Sequence, residues 1–353
     1  MGEKLLMKGN EAIAEAAIRA GCRYFFGYPI TPQNEIPAYM SERLPEEGGV
    51  FLQAESEVAA INMVYGAAGA GARVLTSSSS PGISLKAEGI SYIAAAELPC
   101  VIINMMRGGP GLGGIEPSQS DYFQATRGMA HGNFRLLVMA PSSVQEGVDL
   151  MMEAFDLADK YRNPVLILGD GMIGQMMEPV EFGDKIDPDK LPEKEWATDG
   201  AKGREKNIIN SLYLDPDVLE DLNWKLHDKY EQMKREDVKC EQYMMDDAEL
   251  ALVAYGTAAR IAQSAVKLAR KQGIKLGLIR PITLFPFPEK VIEKAVDSVE
   301  ALLTVELSTG QMVEDVRLAS AGNCPVYFHG RPGGNMLVPE KIVAKIKKIR
   351  GDL

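Results

Sequence analysis

Hydrophobic and polar positions along this chain form two runs of alternating strand and helix patterns, separated by a stretch with neither. In the first run, RYFF (23–26), ARVLTSS (72–78), CVIINMM (100–106), FRLLVMAP (134–141) and PVLILGDG (164–171) read as short β-rich strands. Between them lie helical periods. One runs from an expected cap at Asn10, with Glu11 favourable in the first turn, through Ala20 to a stop at Gly21. SVQEGVDLMMEAFDLADKY (143–161) is a well-patterned amphipathic helix. Such alternation predicts a parallel sheet covered by helices on both faces.

From about Met176 to Met245 the chain becomes rich in Asp, Lys, Glu and Pro, with few apolar clusters. DPDVLEDLNWKLHDKYEQMKRE (215–236) reads as a polar, charged helix. Alternation restarts near Ala248: ELALVAYG, IKLGLIRP, EALLTVEL and PVYFHG as strands, and TAARIAQSAVKLARKQG, FPEKVIEKAVDSV and MVEDVRLAS as helices. The expected organisation is an α/β domain over 1–178, a charged linker with an exposed helix over 179–245, and a smaller α/β domain over 246–353.

Composition narrows the function. A chain of 353 residues, 46% hydrophobic and 25% charged, suits two globular α/β domains. The net charge of -11 argues against nucleic acid as a partner. Four scattered cysteines without a CxxC offer no ligand set for zinc or an iron–sulfur cluster, and they suit a reducing cytoplasm. No metal site and no membrane span are expected, and the N-terminus does not read as a signal peptide.

Candidate chemistry collects at strand ends. GYPITP (27–32) closes one strand with a Pro-stiffened loop carrying the hydroxyl of Thr31, which either satisfies a local turn or faces a ligand. QAESEVAA (53–60) ends another and places Glu55 and Glu57 at the start of a helix made of small residues. Small residues imply close packing, so Glu57 is more than a dipole-favoured helix acid. Arg107 ends the apolar strand CVIINMM and needs an anion, either a helix-borne acid or a substrate carboxylate. TSSSSPG (76–82) offers hydroxyls that form an anion cradle or a hydroxyl-lined turn. Gly109, Gly111 and Gly114 match GxGxxG, but no clean helix opens there and FRLLVMAP ends without an acid, which excludes a dinucleotide site. GDG (169–171) lacks following paired asparagines, so the chain should not hold a diphosphate itself.

GNEAIAEAAIRAG, GYPITPQNEI, QAESEVAAINMVYGAAGAGAR, TSSSSPG, RGGPGLGG, PSQSDYFQA and RPITLFPFP together resemble the alpha subunit of 2-oxoacid:ferredoxin oxidoreductases, most of all the 2-ketoisovalerate type. The resemblance runs along nearly the whole chain. It implies a pyrimidine-type thiamin-diphosphate-binding domain followed by a transketolase C-terminal-like α/β domain. It assigns Glu57 as the activating acid, which hydrogen-bonds the aminopyrimidine and promotes the imino tautomer that deprotonates the thiazolium. It implies Thr31 and Arg107 as substrate contacts, and Tyr28, Pro29, Ile30 and Ser80 beside the cofactor.

The same resemblance implies a beta subunit holding the diphosphate and Mg2+, gamma and ferredoxin-like delta subunits, and iron–sulfur clusters on partner subunits. Coenzyme A would accept the acyl group and ferredoxin the electrons. The residues following Arg107 depart from the pattern of the pyruvate enzymes. 2-Oxoglutarate or pyruvate as substrate, and a non-catalytic docking role, stay as alternatives.

Overall fold

The computed structural model describes residues 4–352, so Met1, Gly2, Glu3 and Leu353 of the segments read above lie outside it. In chain order the elements are β1 (Leu5–Lys8), α1 (Gly9–Arg19), β2 (Tyr24–Gly27), α2 (Glu35–Glu46), β3 (Val50–Gln53), α3 (Glu57–Gly69), β4 (Val74–Ser78), α4 (Ser80–Ala95), β5 (Cys100–Met106), α5 (Tyr122–Thr126), β6 (Leu137–Met139), α6 (Val144–Tyr161), β7 (Pro164–Asp170), α7 (Gly171–Gln175) and β8 (Met177–Val180). They continue with α8 (Pro216–Glu236), β9 (Cys240–Tyr243), β10 (Leu250–Val253), α9 (Gly256–Lys271), β11 (Leu276–Pro281), β12 (Thr283–Phe285), α10 (Glu289–Ala295), β13 (Ala301–Glu306), α11 (Met312–Ser320), β14 (Val326–Gly330) and α12 (Pro339–Asp352).

The first sheet has the order β12-β6-β7-β5-β4-β2-β3, parallel except for β12. One face is covered by α1, α2 and α6 through Ile13, Ile36, Met40, Val148 and Phe155; the other is packed by α3 and α4 through Ile61, Val64, Ile83 and Ile90. Burial on both faces explains why CVIINMM and PVLILGD are apolar without alternation. The second sheet has the order β14-β13-β10-β11-β9 and packs α9 and α12 against its own core.

Three features differ from the reading of the sequence. Asn10 is not a cap: it lies inside α1, and its Nδ2 crosses to the Pro32 carbonyl and Glu35 Oε2, both at 2.8 Å. The segment expected as a linker with an exposed helix is tied down at three places. Leu226, Tyr230 and Met233 of α8 are buried in the first domain's core, β9 pairs antiparallel with β11, and β8 pairs with β1. A polar helix can bury one narrow stripe and still read as charged. RPITLFPFP is divided between the sheets, with β11 in the second and β12 at the edge of the first, antiparallel to β6. Arg280 seals this junction: Nη1 and Nη2 bind Glu146 of α6 at 2.9 Å each, and Nε binds Glu241 of β9 at 2.7 Å.

Among the described residues no helix is long and apolar enough to cross a membrane.

Candidate active site

Four adjacent parallel strands, β5, β4, β2 and β3, bring their carboxyl ends to one edge of the first sheet. Ligands of open parallel sheets bind in the crevice outside that edge.

Glu57 opens α3 directly after β3. The Ser56 hydroxyl caps the helix by accepting the Ala59 amide at 3.2 Å, which fixes the first turn. That turn aims Glu57 inward, leaving it 6% exposed, whereas Glu55 faces solvent. Room for the acid comes from a missing side chain on α4. A Cβ at Gly82 would stand 2.7 Å from Glu57 Oε1 and 2.1 Å from Ser78 Oγ. No described residue donates a hydrogen bond to the Glu57 carboxylate or forms an ion pair with it. One turn beyond Gly82, Lys86 is fully buried and donates to Thr76 Oγ1 at 2.6 Å and the Ser77 carbonyl at 3.0 Å.

Arg107 follows β5 and is 7% exposed. Its Nη1 donates to the Thr31 carbonyl at 3.0 Å and Nη2 to the Leu112 carbonyl at 3.1 Å; Nε is buried without a partner. No carboxylate among the described residues pairs with it. A buried guanidinium lacking a counter-ion is costly, so an incoming anion relieves it. Ser80, expected beside the cofactor, has both sides of its hydroxyl engaged. It accepts the Arg107 amide at 3.0 Å and donates to Asp121 Oδ2 at 2.6 Å. Ser80 therefore braces Arg107 and has no proton left to offer a ligand. Asn104 completes the brace, accepting the Ser80 amide at 3.0 Å and donating to Asp121 at 2.9 Å. Burial raises the Asp121 pKa, against the lowering effect of the Ser80 and Asn104 hydrogen bonds. The neighbouring Ser78 and Ser79 hydroxyls are buried without partners.

In the GYPITP loop, Tyr28, Pro29 and Thr31 are exposed and Ile30 is half-buried. Gln33 anchors the loop from beneath: its Oε1 accepts Ser77 Oγ at 2.5 Å and its Nε2 donates to the Tyr28 carbonyl at 3.4 Å. Thr31 Oγ1 accepts Asn34 Nδ2 at 3.3 Å. Thr31, Arg107, Ser80 and Glu57 are thus linked in series: loop to Arg107, Arg107 to the start of α4, and α4 to Glu57 at Gly82. Glu57 makes no hydrogen bond to the loop or to Arg107. Beside Thr31 opens a cleft of about 630 Å³. Pro32, Ile115, Pro117, Met172, Met176 and Met336 line it, with Asn34, Glu35, Glu116 and Gln175 at its polar positions; no Lys or Arg contributes.

Lys86, Gly82, Asn104 and Asp121 were not singled out from sequence. The first two share a legible signal, since positions 82, 86 and 89 fall on one helical stripe that faces α3. Asn104 and Asp121 gave none.

Fold and site together define a thiamin-diphosphate-binding α/β protein with an acid at the start of a strand-end helix. The description "Pyruvate flavodoxin/ferredoxin oxidoreductase, thiamine diP-bdg" matches residues 15–244, and "Pyruvate:ferredoxin oxidoreductase core domain II" matches 248–342. The chain belongs to this 2-oxoacid:ferredoxin oxidoreductase family, as one subunit of a multi-subunit enzyme.

It is 52% identical to ketoisovalerate oxidoreductase subunit VorB of Methanothermobacter thermautotrophicus, over 98% of each chain. It is 37% identical to 2-oxoglutarate synthase subunit KorA of Methanothermobacter marburgensis, over 98% of this chain and 99% of that one. The fold is also that of the 2-oxoglutarate:ferredoxin oxidoreductase from Magnetococcus marinus, solved with 2-oxoglutarate, coenzyme A and succinyl-CoA bound. The TM-score is 0.87 at 24% identity, covering 98% of this chain and 65% of that chain. A split-gene transketolase shares the fold at a TM-score of 0.61 and 14% identity, over 99% of this chain and 98% of that one.

The residues present fit the pyrimidine half of thiamin diphosphate. Glu57 is buried with its hydrogen-bonding capacity unused, and the Ser78 and Ser79 hydroxyls are likewise unsatisfied.

Proposed function

We propose that this chain supplies the pyrimidine-side half of an active site that oxidatively decarboxylates a branched-chain 2-oxoacid, 2-ketoisovalerate, to acyl-coenzyme A and CO2. The observation that carries the reading is the buried, unpaired Glu57 seated against Gly82, in series with the unpaired Arg107.

When bound, thiamin diphosphate supplies the nucleophilic carbon and the electron sink. Glu57 holds a proton at the pyrimidine ring nitrogen, which its carboxylate is placed to share because no protein group competes for it. Tyr28, Pro29 and Ile30 would form the loop wall on the cofactor's side when it is bound. Arg107 binds the substrate carboxylate through its free Nε, held in orientation by the Thr31 and Leu112 carbonyls. Thr31 offers its hydroxyl to the 2-oxo group. The Met- and Pro-lined cleft receives the aliphatic branch and keeps water from it.

The diphosphate and Mg2+ belong to a beta subunit, and iron–sulfur clusters to gamma and delta subunits that pass electrons to ferredoxin. Coenzyme A accepts the acyl group. Four free cysteines suit a cytoplasmic setting. The division into a pyrimidine domain over 1–178, a segment with α8 over 179–245 and a transketolase C-terminal-like domain over 246–353 is part of this reading; the separate second sheet and the second matched region, which starts at residue 248, support its last boundary.

2-Oxoglutarate is the second reading, favoured by the 37% identical relative. It requires a cation for a distal carboxylate. No described Lys or Arg lines the cleft beside Thr31, and the nearby Lys8 is already paired with Glu35 at 3.3 Å, so the cleft offers a distal carboxylate no free cation.

The test is Glu57→Gln in the assembled complex, with a panel of 2-oxoacids on the wild type. Turnover should fall at least a hundredfold while assembly persists, and branched substrates should lead the panel. Near-normal turnover of the variant would remove Glu57 from the mechanism, and a preference for 2-oxoglutarate would overturn the substrate assignment.

A further inference from the structure

Lys86 has no place in the mechanism above, and its surroundings are unusual for a lysine. It is fully buried on α4, with two of its three protons taken by Thr76 Oγ1 and the Ser77 carbonyl. Thr76 Oγ1 in turn donates to the Phe26 carbonyl at 2.6 Å, immediately before the GYPITP loop. No described carboxylate lies within ion-pair distance of Lys86. A buried ammonium without a paired acid is expensive, and a methionine of equal length would fill the same space without that cost.

Two titratable groups face Lys86. They are Glu57 on α3 and the Cys100 thiol on β5, the described groups whose charge acts on Lys86 through space. Burial pushes that thiol up to about 12, so it is neutral. The charge that matters to Lys86 is therefore that of Glu57. The geometry explains why. Gly82 and Lys86 are one turn apart on the same face of α4; the first makes room for the glutamate, and the second carries the opposite charge.

We propose that Lys86 is a positioning residue for Glu57: its buried ammonium keeps that carboxyl ionised and turned toward the ring-nitrogen side of the site before any cofactor arrives. The proposal rests on the reading of Glu57 given above. Removing the charge leaves a 94%-buried carboxyl with desolvation unopposed, which favours its protonated form. Burial also draws the Lys86 pKa down to about 7, against the raising effect of Glu57, so the counter-charge is itself lost as pH rises past neutrality.

The experiment uses the assembled complex with Lys86→Met, and Lys86→Gln as the second variant should the first not assemble. Infrared difference spectra against the same variant carrying Glu57→Gln read the Glu57 carboxyl without cofactor or substrate. A protonated carboxyl band at pH 6–7 in the variant, absent from the wild type, is the expected result. The acid limb of the kcat/KM profile should move up to near pH 7, a roughly tenfold loss at pH 6 that recovers by pH 8. A carboxylate that stays ionised at pH 6–7 in the variant overturns the proposal. A protonated band without any change in the acid limb supports Lys86 as the counter-charge and contradicts the catalytic reading of Glu57.

Discussion

Gly82→Ala asks whether the seat of Glu57 is as tight as the structure says. A Cβ at this position meets Glu57 Oε1 at 2.7 Å, whereas ordinary contact begins at 3.4 Å, so the carboxylate must retreat by about 0.7 Å. Ser78 Oγ, at 2.1 Å, must rotate away as well, which a single hydroxyl does readily. Alanine also favours the helix over glycine by about 0.5–1 kcal/mol, while overpacking costs about 1–3 kcal/mol, so the net loss of stability is about 0–2.5 kcal/mol. The complex should therefore assemble. A displacement approaching 1 Å of a group that shares a proton in the reaction lowers turnover by roughly 10- to 100-fold.

Gly89→Ala is the matched control. Its Cβ would meet Ile61 Cγ2 at 2.5 Å on the same α3–α4 contact, and its three nearest neighbours are all atoms of the Ile61 side chain. The assay is steady-state decarboxylation by the reconstituted complex, with thermal unfolding of each variant. Turnover of Gly82→Ala within twofold of wild type, or an equal loss in Gly89→Ala, would refute the reasoning.

Arg107→Lys keeps the charge but loses the fork, so KM for the 2-oxoacid should rise at least tenfold, about 1.4 kcal/mol, with thiamin diphosphate affinity retained; an unchanged KM would remove Arg107 from substrate binding. Arg280→Met breaks the bidentate tie between α6 and the second sheet, whose acids are partly exposed, so the loss should be about 1–3 kcal/mol in denaturant unfolding. A change below about 0.5 kcal/mol would mean that the junction is held by packing alone.

Much of the fold was legible because its signals are local. Fully apolar strands such as CVIINMM and PVLILGD announce a sheet buried on both faces. The small residues of α3 announce a close neighbour, which is the stripe of Gly82 and Gly89 on α4. The contrast between Glu55 and Glu57 follows from the cap at Ser56, since only the second lies within the helical turn.

What was not legible depends on partners distant in sequence. Thr283–Phe285 leaves its own half of the chain to pair with β6, and no local pattern in RPITLFPFP names that partner. Lys86 sits among the exposed Ser84, Leu85 and Glu88, where a lysine reads as solvated until the facing helix is known. Asn10 satisfied the rule for a cap, yet the cap position falls two residues earlier, at Lys8, which frees the Asn10 amide for the Pro32 carbonyl. Ser80 sat in a hydroxyl-rich strand end that suggested a ligand, but Asp121, 41 residues away, takes its proton.

The central claim is that this chain carries half of a thiamin site. Calorimetric titration of thiamin diphosphate with Mg2+ tests it most directly, on the isolated chain and on the chain reconstituted with the proposed diphosphate-binding subunit. The account predicts weak or undetectable binding to the isolated chain and tight, stoichiometric binding to the pair, with 2-oxoacid turnover in the full complex alone. Tight binding and full turnover by the isolated chain would contradict it.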